Sequence, residues 1–212
     1  MKRIITALFS LMLGQPALAV VLTTEGTGPH IEKINLPATA SVSSEGETIK
    51  LSSVGAGLRA KKVVFVNVKV YAGQLFVSDL ATFKKSEGEA LGSLKAQKAV
   101  AIQMHFVRDV DADNVQKSFK EALKANNINP DDASVKEFLD AVSKGGEAKE
   151  GKALTVLGTK MKDGSEVITY ETTSGQATQI KGGEGFIEKI FAIWLGKSAD
   201  DGVVNLKKSI LK

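Results

Sequence analysis

The feature of this sequence that most constrains its fold is a segment in which valine occupies every second position. The segment covers residues 63–71, with Val64, Val66, Val68 and Val70 on one side and Phe65, Asn67, Lys69 and Tyr71 on the other. Successive side chains of a β-strand point to opposite faces, so this period-two pattern predicts a strand. A strand cannot stand alone, and the chain must therefore contain a sheet that buries the valine face.

Further strand patterns lie on both sides of this segment. Residues 20–49 predict a mobile start followed by one or two edge strands, and residues 100–107 alternate again. Three short strands are predicted later, at about residues 152–159, 166–172 and 176–181. The turn signals Asp163-Gly164 and Ser174-Gly175 separate those three, which favours antiparallel hairpins.

Helix patterns fill the remaining segments. One or two short helices are predicted within residues 79–97. A longer helix should follow, capped by Asp111 or Asp113 and ending at residues 126–127, and another should run from residue 133 to Gly145-Gly146. An apolar helix over residues 185–196 and a last helix at about residues 203–211 complete the prediction. Because strands cluster early and late with helices between and after them, we predict an α+β fold. An antiparallel sheet should carry a layer of helices on one face.

The amino terminus has the order of a secretory signal peptide. Met1-Lys2-Arg3 is basic, residues 4–14 are apolar, and Ala17-Leu18-Ala19 has the small-x-small cleavage pattern. A buried amino-terminal helix is the alternative interpretation. We expect cleavage after Ala19, a single domain over residues 20–212 and a periplasmic or secreted location. No later apolar run is long enough for a stable membrane anchor.

Charge and composition exclude several classes of function. Without Lys2 and Arg3 the chain has 26 basic and 24 acidic residues, too even a balance for a nucleic-acid partner. Cysteine is absent, which excludes thiol catalysis and thiolate metal sites. His30 and His105 are the only histidines, so we expect no metal site and no cofactor.

Arginine is rare, and this makes Arg59 a candidate binding residue. After the predicted cleavage the chain has 24 lysines but only two arginines, Arg59 and Arg108. Gly55 and Gly57 precede Arg59 and allow a close approach of the backbone, while the planar guanidinium suits a carboxylate. An arginine at the surface or at a strand end is the alternative. Arg108 with its neighbour Asp109 is expected to form an ion pair at the end of a strand.

Tyr71 lies twelve residues after Arg59. In one straight strand these residues would be about 40 Å apart, so a shared site requires a hairpin or a sharp bend between them. No glycine or proline marks that bend, and Lys61-Lys62 and Asn67 are weak candidates for it. Lys69 should share a face with Tyr71, where it could add positive charge to a pocket or be exposed to solvent.

Three segments resemble one protein family. Residues 55–77, 101–119 and 186–212 are similar to the core strands, the central helix and the closing helices of the chalcone isomerase fold, especially its exported bacterial members and its plant fatty-acid-binding members. The most specific matches are Gly55, Gly57, Arg59, Tyr71 and Ile193-Trp194-Leu195-Gly196. The resemblance implies an open-faced sandwich of an antiparallel sheet and helices.

The resemblance also implies roles for single residues. Arg59 matches the pocket arginine, which stabilises a phenolate in the isomerases and holds a carboxylate in the fatty-acid binders. The isomerase threonine falls on Tyr71, and the fatty-acid-binding branch has a tyrosine there. The isomerase tyrosine and asparagine fall on Asp111 and Ser118. An ionised Asp111 cannot donate the hydrogen bond that the tyrosine donates, although Asp111 could also be a helix cap.

These points favour a non-catalytic protein that binds a fatty acid or a similar carboxylated apolar ligand between sheet and helices. Arg59 and Tyr71 would bind the head group, and no residue is assigned a catalytic role. The first alternative is an isomerase or intramolecular lyase acting on an enone, with Arg59 as electrostatic stabiliser, Tyr71 as proton donor and Asp111 as base. The second is an interaction module of the envelope with a vestigial pocket and unknown protein partners. Trp194 would contact a lipid tail or belong to the core. His105 would border a pocket, or have its hydrogen bonds satisfied by other groups or be partly exposed.

Overall fold

The computed structural model describes residues 21–63 and 65–212, leaving out the side chain of Val63. The predicted signal peptide, residues 1–19, lies outside the described residues. The strands are β1 (Thr23–Glu25), β2 (His30–Ile31), β3 (Ile34–Asn35), β4 (Thr39–Ser44), β5 (Glu47–Val63), β6 (Val66–Val77), β7 (Ala99–Phe106), β8 (Ala153–Lys160), β9 (Glu166–Glu171) and β10 (Ala177–Gly182). The helices are α1 (Ala112–Ala125), α2 (Ala133–Lys144), α3 (Phe186–Leu195) and α4 (Asp201–Ile210), with a 3₁₀ helix at Gly92–Ala96.

The strands form one curled antiparallel sheet. Within the described residues its order is β1-β4-β5-β6-β7-β8-β9-β10, so every strand from β4 onward pairs with the next one in the sheet. Strands β2 and β3 form a separate small hairpin. The four α-helices pack on one face and share the larger hydrophobic cluster with it, while a smaller cluster lies on the other face. The predicted α+β fold with helices on one face is confirmed.

The predicted single strand over residues 63–71 is wrong in one respect, because a hairpin turn divides it. Strand β5 ends at Val63, Phe65 lies in the turn, and β6 starts at Val66, which pairs with Val63. The turn lies between the two weak candidates, Lys61-Lys62 and Asn67. The valine alternation suits both arms of a hairpin equally well, and no glycine or proline interrupts it, so the pattern did not indicate the turn.

A β-bulge in β6 changes which residues share a face. Arg59 pairs with Tyr71, but Ala60 pairs with Lys69, so Val70 is the extra residue. Because the bulge shifts the alternation by one position, Val68 and Val70 lie on the Tyr71 side of the sheet. Lys69 lies on the opposite side and forms an ion pair with Glu32 at 2.7 Å. The expectation that Lys69 shares a face with Tyr71 is therefore wrong.

The helices begin and end close to the predicted residues. Asp111 caps α1 by accepting a hydrogen bond from the backbone N–H of Asn114 at 2.8 Å, and Asn126 ends this helix. Residues 79–97 contain only the short 3₁₀ helix, which begins at Gly92. None of the helices in the described part of the chain is long and apolar enough to span a bilayer.

Candidate functional site

A cleft of about 290 Å³ lies between the helix-covered face of the sheet and the helices α1, α3 and α4. Buried apolar side chains line its interior, including Met104, Phe106, Phe119, Ile193 and Trp194. Exposed charged residues surround its mouth, namely Lys61, Arg108, Asp109, Asp111 and Glu121. The cleft therefore combines an apolar interior with a charged opening.

The β5–β6 hairpin brings Arg59 and Tyr71 together at this cleft. The two residues are direct register partners, and the guanidinium carbon lies 5.9 Å from the centre of the phenol ring. This distance allows a cation–π interaction. Both residues line the cleft and both are buried, at 6% exposure each. The bend that a shared site requires is thus supplied by the turn at Phe65.

Asp200 is a third member of this group that the sequence analysis missed. Its carboxylate accepts a hydrogen bond from Arg59 Nη2 at 2.7 Å and caps α4 by accepting from the backbone N–H of Val203 at 2.9 Å. Asp200-Asp201 before an amphipathic segment is a typical helix start, which is the signal that could have located the cap. The sequence carried no sign that this cap lies beside Arg59.

Helix α4 reaches Arg59 because three glycines lack a β-carbon. A β-carbon on Gly55 would lie 2.2 Å from the carbonyl oxygen of Ile210, and one on Gly57 would lie 2.5 Å from Ser209 Cβ. On the helix side, a β-carbon on Gly202 would lie 2.1 Å from the carbonyl oxygen of Ala60. The backbone that approaches these glycines of β5 is therefore that of α4.

Tyr71 is held by Trp194 of α3. The indole Nε1 donates a hydrogen bond to Tyr71 Oη at 3.2 Å in a buried position. Burial raises the pKa of the Tyr71 phenol above its ordinary value, and the nearby Arg59 charge opposes part of this rise. Trp194 also packs edge-on against Phe119, with ring centres 5.3 Å apart. It belongs to the core and lines the cleft at the same time.

Asp111 and Ser118 line the cleft as well, so the structure brings the aligned positions to the same cleft as Arg59. Both oxygens of Asp111 accept hydrogen bonds from Asn114, one from the backbone N–H and one from the side-chain amide at 2.6 Å. These hydrogen bonds hold the pKa of Asp111 below its ordinary value. A carboxylate that caps a helix and has a lowered pKa is a weaker base than a free one.

The remaining candidates lie elsewhere or have other partners. Arg108 lines the mouth of the cleft, but Asp109 pairs with Lys149 at 3.3 Å, so the expected Arg108–Asp109 ion pair is wrong. The His105 ring contacts the Gln103 oxygen at 3.0 Å and does not line the cleft, and burial lowers its pKa. The described residues contain no cluster of three or more His, Cys, Asp or Glu that could hold a metal ion.

Comparisons with known proteins agree on the fold. The family model described as chalcone isomerase-like matches residues 28–212. A crystal structure of a fatty-acid binding protein from Arabidopsis thaliana is similar, with a TM-score of 0.55 and 15% sequence identity over 84% of this chain and 92% of the plant chain. At this identity the likeness shows a common fold. No curated protein sequence matches the chain significantly.

Proposed function

This chain belongs to the chalcone isomerase-like family, and from this premise we propose that its cleft binds a short- or medium-chain fatty acid or a similar carboxylated apolar ligand. The observation that carries the proposal is the buried Arg59 at the end of an apolar cleft. The plant protein with the similar fold is a fatty-acid binding protein, which supports this class of ligand. We propose a binding role rather than a catalytic one.

The head group would bind at Arg59 and Tyr71. A guanidinium has five N–H donors, and within the described residues its one hydrogen-bond partner is Asp200. The remaining donors are available to a ligand that enters the cleft. Tyr71 Oη accepts from Trp194 and still has its own proton to donate. A carboxylate at this position would receive charge-assisted hydrogen bonds, each contributing about 1.5–3 kcal/mol.

Asp200 would compete with the ligand for Arg59. Its carboxylate already balances the buried guanidinium charge, so an incoming carboxylate must share the guanidinium or displace Asp200. The side chain of Asp200 is 34% exposed against 8% for Arg59, so Asp200 has room to move toward solvent. This pairing keeps Arg59 compensated in the absence of ligand and lowers the affinity for carboxylates.

The tail would occupy the apolar interior. A buried methylene contributes about 0.8 kcal/mol, so a chain of about ten carbons supplies enough free energy for micromolar binding. The volume of about 290 Å³ is at the lower limit of ordinary small-ligand pockets, which favours short and medium chains over long ones.

Titration with dodecanoic acid tests the site, because Trp194 is the only tryptophan of the chain and lines the cleft. We expect its fluorescence to report binding. Arg59→Ala should weaken dodecanoate binding about tenfold or more, while the affinity for the uncharged dodecanol should change little. Asp200→Asn should act in the opposite direction, since asparagine also caps helices but leaves Arg59 without a competing carboxylate.

Arg108→Ala is the matched control. It removes the other arginine of the same cleft, but from the exposed mouth, and should change dodecanoate affinity less than threefold or so. Unchanged dodecanoate binding in both the Arg59→Ala and the Asp200→Asn variants would contradict the assignment of the head-group site. Dodecanol and dodecanoate losing affinity equally in Arg59→Ala would show that Arg59 acts on the shape of the cleft only.

We also propose that the protein is exported after cleavage behind Ala19. The support is the basic, apolar and small-residue order of residues 1–19. Intact-mass measurement of the protein isolated from the periplasmic fraction tests this. A mature chain beginning at Val20 is the expected result, and a full-length chain confined to the cytoplasm would contradict it.

A further inference from the structure

The tip of the β5–β6 hairpin is apolar and exposed. Phe65 is 92% exposed and Val66 is 64% exposed, and they are two of the three large apolar side chains that stand exposed in the described residues. Leu80, at 43%, is the third and lies elsewhere. A nearly fully exposed phenylalanine at a turn contributes little to the core, so its exposure indicates a contact with another molecule.

Positive charge surrounds this tip. Residues 60–70 contain three lysines and no aspartate or glutamate, whereas the whole chain has a net charge of only +4. Lys61 and Lys62 are exposed, and neither forms an ion pair with a described residue. Lys69 is exposed as well, but Glu32 neutralises part of its charge at 2.7 Å.

From this combination we propose that the hairpin tip, defined as Phe65 and Val66 with the exposed Lys61 and Lys62, docks the protein reversibly on an anionic lipid bilayer. Aromatic and apolar side chains enter the interfacial region of a bilayer, and nearby lysines attract anionic head groups. Lysine is depleted in protein–protein interfaces, so a lysine-flanked tip fits a lipid surface better than a protein surface.

The tip is also continuous with the cleft. Lys61 and Val68 belong to the cleft lining, and Val66 lies two residues beyond Val68 on the same strand. At 3.3 Å per residue this is a distance of about 7 Å, comparable to the depth that interfacial segments reach in a bilayer. A protein docked through the tip would therefore hold the mouth of the cleft close to the head groups.

The bulge at Val70 gives this connection an apolar track. Strand alternation places Val66, Val68 and Val70 in a row from the exposed tip to the half-buried wall of the cleft, and the bulge puts this row on the Tyr71 side of the sheet. An acyl chain leaving the bilayer could follow this row into the cleft beside Lys61, the mouth residue that pairs with Val68. This transfer step rests on the proposed fatty-acid binding, whereas the docking itself requires only the tip.

Co-sedimentation with lipid vesicles tests the docking. The protein should bind vesicles of phosphatidylcholine mixed with phosphatidylglycerol about tenfold more strongly than vesicles of phosphatidylcholine alone, and salt at about 0.5 M should reduce this difference. The double variant Phe65→Ser/Val66→Ser should lose about tenfold in partitioning to the anionic vesicles, and Lys62→Glu should lose about fivefold. Leu80→Ser is the matched control, because it removes an exposed apolar side chain away from the tip and should bind like the wild type.

Two further readouts separate this proposal from the fatty-acid site. Phe65→Ser/Val66→Ser should keep its affinity for dodecanoate in solution, whereas Arg59→Ala should lose that affinity and still bind anionic vesicles. Absence of vesicle binding by the wild type, or binding that is unchanged in the tip variant, would overturn the docking proposal. If the wild type forms a dimer that does not bind vesicles, and the tip variant is a monomer, the docking proposal is overturned in favour of self-association through the tip.

Discussion

The β5–β6 hairpin has two halves that differ in burial although their strands pair in the same way. The inner half comprises residues 52–59 and 71–77, and the outer half comprises residues 60–63 and 66–70 with the turn at Phe65. Strand β6 is buried from Tyr71 to Val77, whereas its residues from Val66 to Val70 are exposed or half-buried. Two phenylalanines mark the contrast, with Phe76 fully buried and Phe65 92% exposed.

Helix α4 and the neighbouring strands account for the difference in burial between the two halves. The inner half pairs with β7 from Tyr71 onward and lies under α4, whose approach depends on Gly55 and Gly57. The outer half extends beyond Tyr71 and Phe106, the last residue pair between β6 and β7 on this side. One hairpin therefore contributes Arg59 and Tyr71 to the cleft through its inner half and leaves Phe65 and Val66 exposed in its outer half.

The largest expected effect tests the burial contrast directly. Phe76→Ala should lower the free energy of unfolding by about 4 kcal/mol, because a fully buried phenylalanine leaves a cavity. Phe65→Ala is the matched control in the same hairpin and should change it by less than about 0.5 kcal/mol. Urea unfolding followed by the fluorescence of the buried Trp194 measures both. Similar losses for the two variants would show that the tip is packed in solution.

A glycine substitution tests whether α4 holds the inner half. In Gly55→Ala the new β-carbon meets the carbonyl oxygen of Ile210, a backbone atom that can move only with the helix. We expect a loss of about 2–3 kcal/mol in the free energy of unfolding. Gly88→Ala is the control, since its β-carbon meets no atom within 4 Å. Equal stability of the two variants would contradict the close packing of α4 on β5.

The smallest effect concerns the buried phenol of the inner half. Tyr71→Phe removes the acceptor of the Trp194 hydrogen bond and should cost about 1 kcal/mol at pH 8. Burial raises the pKa of Tyr71 in the folded protein, so the unfolded chain ionises this phenol first as the pH rises. The wild type should therefore lose its advantage over Tyr71→Phe above about pH 10, the ordinary tyrosine pKa.

Urea unfolding followed by circular dichroism at pH 8 and at about pH 10.5 measures this difference. Burial also raises the pKa of Tyr170, so Tyr170→Phe should show the same direction of change. The double variant should lack the tyrosine-dependent part of the alkaline instability. A difference between wild type and Tyr71→Phe that stays constant over this pH range would show that the phenol is not shielded.

Prediction from the sequence succeeded where a single local pattern was enough. The strand at residues 100–107, the helix start at Asp111 or Asp113 and the apolar helix at residues 185–196 follow from periodicity and capping, which depend on neighbours in the chain. It failed at the turn beside Phe65 and at the bulge of Val70. Valines at alternate positions suit a hairpin and a straight strand equally, and a bulge depends on the facing strand.

The sequence by itself determined the α+β class, and the rarity of arginine singled out Arg59. The family resemblance already placed Tyr71 in one site with Arg59, but how Tyr71 reaches Arg59, and that Asp200 joins them, was decided only by the tertiary structure. Tyr71 reaches it through a turn without a turn signal, and Asp200 reaches it across 141 positions of sequence because glycines let α4 lie on β5. Local patterns record the period of a strand or helix, whereas the pairing of distant charges follows from how these elements pack against one another.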